Sequence, residues 1–154
     1  MKILVVYDSY FGNTERIALA IKDTIPENKH VVVKKISDFH SSDIEGVEVI
    51  IIGSPTRAFR PTEAITNFLK KIDVSKYKWI AFDTGVNPKQ IKSKILTFMV
   101  KLFGYAAPNM AKTIKKAGGT MLADPETFFV IGNEGPLVAG EIDRFHKWLE
   151  SVKI

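Results

Sequence analysis

Apolar residues follow two rhythms along the chain. Ile3-Leu4-Val5-Val6-Tyr7 and Val47-Glu48-Val49-Ile50-Ile51-Ile52 are short, nearly unbroken apolar runs. Runs of this length, rich in β-branched residues, predict strands buried on both faces. Lys78–Asp83 is a third such run. His30–Ile36, with three valines and then two lysines, suits an edge strand. Between these runs the period lengthens to that of a helix. Ile17, Ala18, Ala20 and Ile21 share a face, and Pro26-Glu27-Asn28 closes that segment. Thr62 and Glu63 cap a helix to about Lys71, with Ile65, Phe68, Leu69 and Ile72 turned inward. After the fourth strand comes a long helical region, broken at Gly104 and Pro108 and ended by Gly118-Gly119. Thr120–Ala123 and Thr127–Ile131 predict a last strand split by Asp124-Pro125-Glu126. Glu141–Val152 is an amphipathic helix, with Ile142, Phe145, Trp148, Leu149 and Val152 on its apolar face.

Strands that alternate with helices specify an α/β domain with a parallel sheet. Right-handed crossovers put helices on both faces. Five strands fit the doubly wound order 2-1-3-4-5, whose ligands sit at the carboxyl ends of the strands near the switch point. No repeat, low-complexity tract or linker interrupts residues 1–154, so one domain is expected. A chain of 154 residues buries a real core.

Composition narrows the chemistry. The chain has no cysteine, which removes disulfides, thiolate metal sites and a cysteine nucleophile. His30, His40 and His146 are too scattered for a metal site, and no nucleophile-elbow serine is present. The Met1-Lys2 start runs straight into the first strand without a signal-peptide pattern, and no apolar stretch reaches spanning length. A cytoplasmic protein is expected. The net charge of +5 comes from one place: Val86–Ala117 holds seven lysines and no acid, while the remainder is slightly acidic. A nucleic-acid reader spreads its charge over a face or carries a recognition motif, and neither is present, so no nucleic-acid partner is expected.

The informative loops follow strands 1, 3 and 4. After strand 1 stands Asp8-Ser9-Tyr10-Phe11-Gly12-Asn13-Thr14-Glu15, a small hydroxyl-bearing loop that opens a helix. Such a loop either binds an anion on free backbone N–H groups or simply caps the helix through Asn13 or Thr14. It holds no lysine or arginine, and the P-loop and G-x-G-x-x-G patterns are absent. Strand 3 ends Ile52-Gly53-Ser54, without the aspartate that a response-regulator receiver needs there.

Ser9-Tyr10-Phe11-Gly12-Asn13-Thr14-Glu15 resembles the phosphate loop of the flavodoxin family. Gly53-Ser54-Pro55-Thr56 resembles the start of that family's second flavin loop, and Phe82-Asp83-Thr84-Gly85 stands where the third leaves strand 4. Phe128–Leu137 is also similar to flavodoxin-like proteins of the short type. The resemblance covers nearly the whole chain apart from about 87–105. It implies flavin mononucleotide (FMN) as cofactor. Ser9, Asn13 and Thr14, with the amides of Tyr10, Phe11 and Gly12, would hold its phosphate. Pro55, Thr56, Arg57, Ala58 and Phe59 would border the flavin ring, and Thr84, Gly85, Val86 and Asn87 would close the other side. Phe11 stands where many members carry a third hydroxyl, which removes one hydrogen bond worth about 1 kcal/mol. Phe59 either stacks on the ring or anchors its loop, and the third loop offers no aromatic of its own. Arg57 and Arg60 face no acid between Ser54 and Thr62. Positive charge beside the ring would make its reduced form less strongly reducing than in acidic-rimmed members. The two arginines could equally grip NAD(P)H phosphates or an acidic partner.

Pro88–Tyr105 carries two adjoining apolar stripes, Ile91, Ile95, Phe98, Met99 and Leu102 beside Leu96, Val100 and Phe103. They span roughly 200°, wider than one core-facing stripe needs. The second stripe wants the helix from Ala107, a second subunit, or an anionic membrane surface flanked by the lysines. Three functions follow from the whole reading. One is an FMN protein passing electrons between redox partners. Another is an FMN-dependent NAD(P)H oxidoreductase, with quinones or similar acceptors implied by the resemblance. The third is an α/β binding module without flavin.

Overall fold

β-Branched residues that point to both sides of a strand need cover on both faces of the sheet. The computed structural model describes Met1–Ile154 and supplies that cover. The strands β1 (Lys2–Tyr7), β2 (His30–Lys35), β3 (Val47–Pro55) and β4 (Lys78–Val86) pair in parallel in the order β2-β1-β3-β4. The expected fifth strand comes in two pieces. β5 (Thr120–Met121) pairs with Lys78 and Trp79 at the start of β4, and β6 (Glu126–Val130) pairs with Phe82–Val86 at its end. The order is therefore 2-1-3-4-5 with an interrupted last strand. The interruption falls at Leu122–Pro125, around the proline that cannot donate to a ladder.

Helices α1 (Asn13–Thr24) and α5 (Glu141–Ser151) cover one face, over Ile3, Val5, Val49, Ile51, Ile80, Phe82 and Phe128. Helices α2 (Glu63–Lys71) and α4 (Ala106–Lys116) cover the other, over Leu4, Val6, Ile50, Ile52, Trp79 and Ala81. Adjacent residues on each strand thus enter opposite cores, as the pleat requires. Thr62 caps α2 by accepting from the Ile65 amide, as the sequence predicts. Helix α5 is fastened to β6 by charge as well as by apolar contact. Glu141 accepts from the Phe129 amide at 2.6 Å, and Arg144 donates to Glu141, Glu126 and the Thr127 carbonyl.

Two expectations change. Pro108 does not break a helix, because it lies in the first turn of α4, where its missing N–H costs nothing. The break lies at Gly104 alone, at φ +72°, between α4 and α3 (Lys94–Phe103). The second change concerns α3 itself. The wide apolar arc predicts that one stripe packs on the sheet, yet no residue of α3 is buried. No helix is long and apolar enough to cross a membrane.

Candidate functional site

Parallel strands send their carboxyl ends to the same edge, so the loops after β1, β3 and β4 converge. They enclose a cavity of about 590 Å³. Its walls include Ser9, Tyr10, Phe11, Asn13 and Thr14 from the first loop. Pro55 closes β3 and Thr56, Arg57 and Ala58 open the second loop, while Thr84, Gly85 and Val86 are the last residues of β4, just before the third. Twelve of the fifteen residues singled out in the sequence thus meet in one cavity. Gly12 and Asn87 do not line it, and Phe59 lines a neighbouring groove instead.

The first loop leads into an uncapped helix N-terminus. Gly12, at φ +84°, is the N-cap of α1, a conformation glycine adopts without strain. No side chain caps the helix, so neither Asn13 nor Thr14 plays the capping role open to it from the sequence. The first-turn amides are left for a ligand. Ser9 Oγ accepts from the Gly12 amide at 3.1 Å and keeps its own proton to donate. Thr14 is buried, and its hydroxyl bonds that of Thr84 at 2.8 Å, joining the first loop to the third. The Asn13 amide group donates to the Glu134 carbonyl at 2.8 Å.

That last bond brings in a fourth segment. Val130 at the end of β6, and Asn133 and Glu134 beyond it, complete the cavity wall. Sequence reasoning noticed Phe128–Leu137 but assigned no site residue there. The available signal was the parallel register, which puts the end of β6 beside the end of β4.

The second loop is a tight hairpin turn. The amides and carbonyls of Arg57 and Arg60 exchange two bonds of 2.9 Å, and Ala58 (φ 45°) and Phe59 (φ 66°) fill the central positions. Such turns prefer Asn-Gly, so an Ala-Phe pair there is strained. Neighbours hold it: Asn109 donates to the Phe59 carbonyl at 2.9 Å, and the Phe59 ring packs on Phe103 of α3 at 5.8 Å. Phe59 is thus a loop anchor here. Arg57 lies over the rings of Tyr10 (5.4 Å) and Phe11 (5.8 Å), bridging the first two loops. Arg60 instead faces a separate groove, with Lys70, Lys112 and Lys116.

Beneath these loops sits Asp83, with no solvent exposure. Its Oδ2 accepts from the Thr56 hydroxyl at 2.7 Å and from the Ala107 amide at 2.9 Å. Thr56 Oγ1 in turn accepts from the Ala106 amide at 2.8 Å. The second loop is thereby tied to the N-terminus of α4. Asp83 Oδ1 has no partner. Burial pushes the Asp83 carboxyl up to about 6, against the pull of the nearby Thr127 and Thr56 hydroxyls and the Ala107 and Ala106 amides.

The third loop has an aromatic neighbour that the sequence did not disclose. Tyr105, from the start of α4, lays its ring against Gly85, where a Cβ would come within 2.9 Å. Its hydroxyl donates to the Val86 carbonyl at 2.8 Å. Burial, and then the Asp83 charge, push that hydroxyl up to about 12, so it stays protonated and donating.

A sequence model of a family described as Flavodoxin domain matches residues 4–148. No curated protein matches the chain. Among solved structures, a flavodoxin from the domain Archaea superposes with a TM-score of 0.74 at 22% identity, covering 97% of this chain and 94% of its own. A Fusobacterium nucleatum flavodoxin variant bound to flavin mononucleotide gives 0.63 at 18% identity, over 96% and 92% of the two chains. The rubredoxin oxygen:oxidoreductase of Desulfovibrio gigas gives 0.68 at 17% identity, with 98% of this chain matching 35% of that larger one.

Proposed function

The chain belongs to the flavodoxin domain family, and on that premise we propose that it holds FMN in this cavity and carries electrons between redox partners. The observation that carries the reading is the uncapped N-terminus of α1 facing a slot between the second and third loops. A dianionic phosphate suits free amides at a helix N-terminus, with Ser9 donating a further bond. A flat ring suits the space beside Pro55, Thr56 and Ala58 on one side and Gly85 and Val86 on the other. Bound FMN supplies one- and two-electron transfer, and the protein supplies orientation and charge. Thr14 and Thr84 hold the two ends of the seat together, and Asp83 keeps Thr56 in place.

Anaerobic titration with FMN, followed by NADPH, tests this. The expected result is a yellow one-to-one complex that NADPH alone reduces slowly. Protein that added FMN cannot turn yellow would sink the reading. One observation favours the oxidoreductase alternative. The groove of about 880 Å³ beside the second loop shares Ala58 with the flavin cavity, and its lining includes Arg60, Lys70, Lys112 and Lys116 against the single acid Glu63. Cations there suit dinucleotide phosphates, and fast reduction by NADPH would favour this second function.

The two arginines make separable predictions. Arg57 borders the cavity and Arg60 does not. Arg57→Gln should lower the two-electron midpoint potential of the FMN complex by roughly tens of millivolts, because a nearby cation favours the reduced anion. Arg60→Gln should shift it much less. Equal shifts in a spectroscopic redox titration would contradict this placement.

A further inference from the structure

Helix α3 presents an apolar ridge to the outside. Ile95 is 72% exposed, and Phe98 and Leu102 are each 63% exposed. At i, i+3 and i+7 they share one face. Leu96 and Phe103 are also largely exposed. Scattered apolar side chains on a surface are ordinary, but a contiguous ridge on a helix without a single buried residue has not found its cover.

The charges around the ridge indicate what that cover is. Lys94 and Lys101 flank Phe98 one turn to either side, and with Lys92 they line a shallow cup of about 310 Å³. Lys112, Lys115 and Lys116 follow on α4. From Thr84 to Ala123 there is no acidic residue. A second copy docking ridge to ridge would bring two sets of lysines together without one compensating acid. The ridge is also convex, whereas docking on a folded protein would need a matching groove in the partner. A bilayer accepts a convex ridge, and the helix carries its own backbone hydrogen bonds into the interface.

We propose that α3 docks this protein on an anionic lipid surface. Ile95, Phe98 and Leu102 enter the headgroup–acyl boundary, while Lys92, Lys94 and Lys101 engage lipid phosphates. The Phe59–Phe103 contact then holds the second cavity loop near the membrane. This inference stands on α3 and the lysines around it and does not depend on which ligand fills the cavity.

Co-sedimentation with vesicles tests it. One set is phosphatidylcholine alone; in the other about a third of the lipid is phosphatidylglycerol. The intact protein should pellet only with the anionic set and be released by salt. The triple variant K92E/K94E/K101E should lose about a hundredfold or more in partitioning, because each lysine near such a surface counts for several-fold. I95S/F98S/L102S should lose comparable binding while keeping its circular dichroism spectrum, since these side chains touch no core. In F98W, brominated acyl chains should quench the added tryptophan, which separates insertion from adsorption. The proposal is overturned by absence from the anionic pellet, by equal pelleting with neutral vesicles, or by an unquenched F98W on bound vesicles. It is also overturned if sedimentation velocity shows a dimer of the intact protein that I95S/F98S/L102S abolishes.

Discussion

Asp83→Asn should raise the thermal midpoint above about pH 7 and leave it nearly unchanged near pH 4. Asp83 is wholly buried, and one of its oxygens has no partner. Burial pushes its carboxyl from 3.8 to about 6 in the folded chain, so folding favours the protonated acid. A folded pKa raised above the unfolded one contributes stability below about pH 4. That contribution is lost as pH rises through about 6. Over this shift the loss is about 3 kcal/mol. Asparagine copies the neutral acid at every pH, and its carbonyl can still accept from Thr56 and Ala107. The variant should therefore gain roughly 6–12 °C at neutral pH in a chain of this size. Thermal melts of both proteins across the pH range decide it. A variant that is less stable at pH 7 would mean that the hydrogen bonds to the charged carboxylate outweigh its burial. The expected gain makes the acid a group kept at a cost in stability, next to the loop it holds.

The second large effect is expected at Ser9. Ser9→Asp sets a carboxylate beside the uncapped N-terminus of α1, near the Gly12 amide that Ser9 Oγ now engages. A carboxylate suits that position, so the unliganded protein should be at least as stable as before. It also takes the place proposed for the FMN phosphate and repels it. FMN affinity should fall by about a hundredfold or more. Riboflavin, which has no phosphate, should bind the variant about as it binds the parent. Flavin fluorescence titrations with both compounds separate the effects. Loss of riboflavin binding as well would mean that the substitution disrupts the slot, and unchanged FMN binding would remove the phosphate from this loop.

The sheet order was legible because each buried strand is written as an apolar run and each covering helix as a stripe. Register added what those runs omit. β3 and β4 continue through Pro55 and Val86, so Thr56 and Thr84 sit at fixed strand ends and not in free loops. The uncapped start of α1 was legible because small and hydroxyl residues crowd one strand–helix junction. Val130, Asn133 and Glu134 were missed because they are distant in sequence and reach the site only through the β4–β6 pairing. Tyr105 was missed for a similar reason, since its ring meets the third loop twenty residues after Gly85. The Ala58-Phe59 turn defies its own propensity, so composition could not announce it. In α3 the periodicity was plain, but amphipathic spacing does not say whether the apolar side meets the core or the outside.

The split outer strand also bears on how chain length can vary in this architecture. β4 is served by two short partners, with Leu122–Pro125 turning between them at the sheet edge. None of the residues of that turn lines the cavity. A longer excursion at this position would leave the strand pairs on either side in register and the cavity untouched. The fold thus has one margin where insertion is structurally cheap and another, at the strand tips, where a single residue more would pull the loops apart. Variation in size among chains of this type would be expected to accumulate at the first margin and to be excluded from the second.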